Sequence, residues 1–336
     1  LEELRFALFT ATYFTLVIAA PTPRLLYRFG ILILALSLAM AVGAVLFFLS
    51  RLATGDVITV HTWHGEYTRR EYFGVLLQAT RPSGHVFFEV SLVVLLSLIV
   101  SRALTPKWGV LALAACGLLL AAIALSFMRT AYTATLVGAA ALVWLSWPRE
   151  LRIASFLTAI AASAVVVLLA GSELLDAFTR FVPGLDVSLQ ARVAETQGAV
   201  VAIAERPLFG HGLGSTFSAF DLVANVAQFA YGQGEFQSTH NFWLYILFKG
   251  GFFGLLLVTF ALGAILWRGL HTLDQLRDPL AYAFFRGCLA VLIAQLVASL
   301  AMPRLLYPQG QVLLALLAAA VFVFSHAVRT ARANEA

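Results

Sequence analysis

Residues 238–267 read Ser238-Thr239-His240-Asn241 and then FWLYILFKGGFFGLLLVTFALGAILW, ending at Trp267. A short polar entry gives way to a run whose only charged side chain is Lys249. The run exceeds the roughly 20 apolar residues that an α-helix needs to cross a bilayer. It therefore predicts a membrane span, with a histidine at the polar-to-apolar junction.

Working outward, similar runs recur along the 336 residues, of which 61% are hydrophobic and 12% charged, against about 25% charged in soluble domains. The pattern predicts an all-α polytopic membrane protein with about nine spans, near 6–20, 30–50, 86–101, 108–128, 131–147, 153–171, 241–267, 280–301 and 310–328. A β-barrel would show short alternating strands instead. We expect one integrated membrane domain: transmembrane helices over 1–171 with an outer segment at 51–85, a long loop containing an amphipathic helix over 172–240, and transmembrane helices over 241–336.

Arg24 and Arg28, Arg102 and Lys107, Arg149 and Arg152, Arg268 and Arg277, and Arg329 and Arg332 fall in connections on one face. The positive-inside rule assigns that face to the cytoplasm. The opposite face then carries the 172–240 loop, rich in Glu173, Asp176, Asp186, Glu195, Glu205, Asp221 and Glu235. On this topology Leu1 lies outside, which with the absence of an initial methionine predicts that further helices precede it. The net charge of +5 is scattered over connections rather than gathered into a stripe, so it reads as topology and not as a nucleic-acid surface. Cys116 and Cys288 fall inside apolar runs and predict no disulfide framework.

Within the long loop, Ser188 reads as an N-cap, and Leu189, Val193, Val200 and Ile203 follow at helical spacing. Pro207 ends this helix, and Gly210-His211-Gly212-Leu213-Gly214 reads as a flexible turn. At the next junction Ser238 or Thr239 can cap the helix, which would put His240 in its first turn. Unpaired N–H groups there attract anions and suit a proton-accepting imidazole. The plainer reading is an interfacial histidine bonded to the loop. Arg129, between two spans, reads as an anion ligand or a snorkelling side chain. Arg192 reads as an anion ligand or a partner of Glu195, and Lys249 as a snorkelling side chain deep enough to reach a surface site. Gly250 and Gly254 form a small-xxx-small packing pattern. His61, His64 and Glu66 lack the spacing of a metal set, and no cofactor is expected.

Taken in order, Ser126 to Ala131, Arg192, Pro207 to Gly214, and His240, Asn241 and Leu244 followed by Gly251 and Gly254 resemble motifs of the O-antigen ligase and polysaccharide polymerase family of bacterial membrane glycosyltransferases. The resemblance covers roughly residues 70–330. It implies an inner-membrane enzyme with a periplasmic active site. The donor would be an undecaprenyl-diphosphate-linked glycan, and the acceptor the lipid A core or another lipid-linked glycan. It implies His240 as base, Arg192 and Arg129 at the leaving diphosphate, and Arg206, Lys249, Asn241, Arg81 and Glu89 as further substrate-binding positions. Its members carry about a dozen spans. A glycan or lipid transporter is the alternative from another class, and a membrane scaffold the third. A transporter should hold polar groups near the midplane, which these charge-poor spans do not.

Overall fold

The computed structural model describes residues 5–19, 22–54, 69–72, 75–78, 84–126, 128–158, 187–218, 235–236, 239–300 and 302–335. They form helices α1 (Arg5–Ala19), α2 (Pro23–Thr54), α3 (Val86–Val100), α4 (Pro106–Leu125), α5 (Arg129–Leu145), α6 (Val187–Glu205), α7 (Phe242–Leu273), α8 (Pro279–Ala298) and α9 (Pro308–Glu335), with a 3-10 turn at Arg304–Leu306. Residues 149–158 are also helical. Proline opens α2, α4, α8 and α9, where its missing N–H costs no hydrogen bond and its fixed φ suits the first turn.

Two small antiparallel pairs add to this all-α architecture without having been expected. β1 (Arg69–Tyr72) pairs with β2 (Val75–Gln78), and β3 (Phe217–Ser218) with β4 (Glu235–Phe236). Among the described residues, five helices are long and apolar enough to cross a membrane: Pro23–Ser50, Pro106–Leu125, Phe242–Leu273, Pro279–Ala298 and Pro308–Asn334. The apolar segments Phe9–Ile18, Val86–Val100 and Thr130–Leu145 are shorter. Of the expected spans, 153–171 passes out of the described residues, and each of the others falls on a described helix.

The chain forms two compact units: Leu1–Val143 with Ala264–Ala298 and Arg304–Ala336, and Trp144–Gly263 with Ser299–Pro303. In the first, α8 packs on α3, α3 on α4, α2 on α3 and α4, and α9 on α1, α8 and α2. Lipid is as apolar as leucine, so close packing rather than water exclusion holds such helices together, and small residues permit it. Ala283, Ala290, Ala294 and Ala298 of α8 are accordingly buried, as are Ala315 and Ala319 of α9. A β-carbon at Gly287 would stand 2.9 Å from the Val94 Cα, and one at Gly138 would stand 2.6 Å from the Val93 Cγ2.

Two buried charged side chains of this unit, Arg286 and Glu89, have polar partners. Arg286 is buried. It donates through Nε to Ser97 Oγ at 3.1 Å and lies over the Tyr282 ring at 5.5 Å. Glu89, also buried, accepts from Arg304 Nη1 at 2.8 and 2.6 Å and from Gln295 Nε2 at 3.4 Å.

Candidate functional site

The second unit holds the site, built where α6, the segment after it and the start of α7 meet. The helix cap at His240 differs from the expected one. Asn241 is the N-cap: its Oδ1 accepts from the N–H groups of Trp243 (2.9 Å) and Leu244 (3.1 Å), and its carbonyl accepts from Tyr245 N–H. Thr239 turns its hydroxyl onto the Asn241 carbonyl instead, at 2.5 Å. Ser238 lies outside the described residues. His240 therefore precedes the cap and is not in the first turn. The physical reason is reach: the asparagine side chain satisfies two N–H groups directly.

What faces His240 is Glu195. The Glu195 Oε2 lies 2.5 Å from His240 Nδ1, while Oε1 accepts the His240 backbone N–H. The glutamate is 2% exposed and the histidine ring 30% exposed. A buried carboxylate on Nδ1 places the proton there, fixing the tautomer and turning Nε2 into the proton-accepting atom. This is the arrangement of a base with its orienting group.

Glu195 reaches that position because the buried face of α6 is not the expected one. Glu195, Gly198 and Ala199 are buried, whereas Val200 is 52% exposed. Ala199 packs with Phe217 of β3 and Phe248 of α7, and Ala202, Ile203 and Leu244 surround them. Small residues let α6 approach closely, and they carry no strong hydrophobic periodicity. The one available signal was spacing: Glu195, Gly198, Ala199 and Ala202 share one helical face.

Helix α7 is broken at Gly251, whose φ of 62° and ψ of −163° lie outside the helical region. The break leaves backbone groups open inside an apolar span, where each must find a partner. The segment from Pro207 to Gly212, which includes the start of the expected flexible turn, supplies them. His211 N–H donates to the Phe248 carbonyl, Gly212 N–H to that of Lys249, Phe252 N–H to that of Pro207 and Phe253 N–H to that of Leu208. The His211 Nε2–H donates to the Ala202 carbonyl at 2.6 Å, and the ring stacks on Phe248 with centroids 5.0 Å apart. His211 thus fastens this segment to α6 on one side and α7 on the other.

The remaining candidates fall as follows. Arg192 stands on α6 one turn before Glu195, half-buried, and Arg206 is exposed just past the end of that helix. Lys249 is buried and does not snorkel: its Nζ donates to the Ser215 carbonyl at 2.7 Å and lies 5.4 Å from the centroid of the Phe248 ring. Gly250 has nothing within 4 Å of a β-carbon, and the Gly254 β-carbon would touch only the Ile246 carbonyl oxygen, at 3.8 Å, so the close approach lies at Gly251. Arg129 begins α5 in the other unit, and its side chain is outside the described residues, as are Arg81, His61, His64 and Glu66. Glu89 belongs to the buried cluster of the first unit. Among the described residues, no group of three or more histidine, cysteine, aspartate and glutamate side chains is placed to hold a metal ion.

Fold and site together define a helical membrane protein with a carboxylate-oriented histidine at the start of an interrupted helix. Residues 114–259 match the family model described as O-Antigen ligase. Over that stretch, which is less than half of the chain, the protein is similar to the O-antigen ligase family. The matched stretch contains Arg129, Arg192, Glu195, Gly210, His240 and Gly251. No curated protein matches the chain.

Proposed function

We propose that this protein is a membrane glycosyltransferase of the O-antigen ligase type. It transfers a glycan from undecaprenyl diphosphate to a sugar hydroxyl of the lipid A core, at the periplasmic face of the bacterial inner membrane. The observation that carries this reading is the Glu195–His240 pair, seated within the stretch that matches the family.

In the proposed reaction the acceptor hydroxyl oxygen attacks the anomeric carbon, and its proton passes to His240 Nε2. The bond from the anomeric carbon to the diphosphate oxygen breaks, and its electron pair leaves with the diphosphate. Attack opposite the leaving group inverts the anomeric centre. Arg192 and Arg129 neutralise the departing diphosphate through charge-assisted hydrogen bonds, the role a metal ion has in other phosphate chemistry. Glu195 holds the imidazole in the accepting tautomer, and the bond from Lys249 to Ser215 steadies the segment beside it.

A polymerase would join lipid-linked repeats with the same machinery and a different acceptor. Deletion in the source organism, followed by analysis of carrier-linked glycans, separates the two. Long polymer accumulating on the carrier lipid is the result expected of a ligase, and accumulating single repeats would indicate a polymerase. Unchanged carrier-linked glycans would contradict both.

A further inference from the structure

Within the first unit, the C-terminal ends of α7 and α9 line an open cavity of about 170 Å³, well above the roughly 10–15 Å³ that one water needs. Arg268, His271 and Thr272 of α7 line it together with Ser325, Arg329 and Arg332 of α9, and no carboxylate among the described residues does. Three permanent positive charges thus converge without a counter-charge among the described lining residues.

Two further features mark this as a site. The Arg268 Nε is buried and has no hydrogen-bond partner among the described residues, while its guanidinium carbon lies 5.7 Å from the centroid of the Phe322 ring. The hydroxyls beneath are already committed: Thr272 Oγ1 and Ser325 Oγ are 2.7 Å apart, and Ser325 Oγ donates to the Val321 carbonyl at 2.6 Å. They tie the two helices together and fix the spacing of the arginines, leaving guanidinium groups to meet the ligand.

The positive-inside pattern accounts for basic residues at these helix ends. It does not require that they converge on one cavity or that one of them withhold a donor. The setting also names the kind of anion. Trp267, beside Arg268, is 64% exposed, and Phe322 is 37% exposed. Both stand on helices long and apolar enough to cross a membrane, so apolar surface suited to acyl chains adjoins charge suited to a phosphate. Basic pockets between the ends of spanning helices are where anionic headgroups bind. The geometry points to a binding site for the phosphate of an anionic lipid headgroup between α7 and α9.

The test is equilibrium binding to the full chain, purified in detergent and stripped of lipid, with three probes: dioctanoyl phosphatidylglycerol, dioctanoyl phosphatidylcholine and inorganic phosphate. Phosphatidylglycerol should bind saturably and at least ten-fold more tightly than either other probe. The Arg329→Gln/Arg332→Gln variant changes two exposed side chains and should elute as the parent does while binding phosphatidylglycerol at least ten-fold more weakly. Arg329→Lys/Arg332→Lys should recover part of that loss. Inorganic phosphate binding as tightly as phosphatidylglycerol would overturn the lipid assignment. Equal binding of the two lipids, or undiminished binding by the glutamine variant, would overturn the site.

Discussion

The backbones of Gly210 and Gly251 cross so closely that a β-carbon on Gly210 would stand 2.5 Å from the Gly251 nitrogen. Both residues also hold positive φ, at 68° and 62°. Left-handed backbone costs a residue with a side chain roughly 1–2 kcal/mol, and the clash, being with backbone, has nowhere to relax. Gly210→Ala and Gly251→Ala should each sharply reduce the amount of folded protein recovered from membranes, read by size-exclusion profile and thermal stability in detergent. Gly250→Ala, one position away with open space at its β-carbon, should be tolerated.

Asn241 performs the capping that the sequence reading gave to Ser238 or Thr239. Its replacement by alanine should lower stability by about 1 kcal/mol, and by serine less, since serine also caps well. Thermal unfolding of the three proteins checks this. Asn241→Ala showing a raised KM at unchanged stability would instead favour a direct contact with substrate.

The Glu89–Arg304 pair is buried on both sides, at 2% and 5% exposure. Breaking such a pair by removing one partner typically costs about 3–5 kcal/mol, because a buried charge is left alone, whereas replacing both by apolar groups is often nearly neutral. Glu89→Gln should therefore destabilise strongly, and Glu89→Gln/Arg304→Met should recover much of the loss. A substrate-binding role for Glu89 predicts a different pattern, with stability kept and KM raised.

The apolar runs made the helices legible, because a span declares itself by length and hydropathy without reference to its neighbours. That His240 stands at a helix start was legible for the same reason. Its partner was not, since Glu195 lies 45 positions away on a helix face made of glycine and alanine, whose burial reflects close approach and not hydrophobicity. The break at Gly251 was hidden too. A glycine inside an apolar run looks like packing until the segment from Pro207 to Gly212 is seen to supply the missing backbone bonds. The basic cavity was read as topology, because convergence of Arg268 with Arg329 and Arg332 depends on how α7 and α9 pack.

Arg192 and Glu195 stand one turn apart on α6, so the helix that orients the base also presents a cation. Arg192→Ala should abolish transfer while the protein still inserts and folds, and Arg192→Lys should restore only a fraction, since lysine lacks the forked geometry that matches a diphosphate. Steady-state transfer with a lipid-diphosphate donor checks both. Arg129→Ala should behave in the same way.

The central claim is that Glu195 acts through His240, and a double-mutant cycle on the transfer rate tests it most directly. A general base contributes roughly 10²–10⁴-fold, so His240→Ala should lose about that much. Glu195→Gln should lose less, while keeping the hydrogen-bonding shape. If the pair is one unit, Glu195→Gln/His240→Ala should be no slower than His240→Ala alone, because an orienting group has no effect without the group it orients. Losses that multiply in the double variant, or full activity in either single variant, would contradict it.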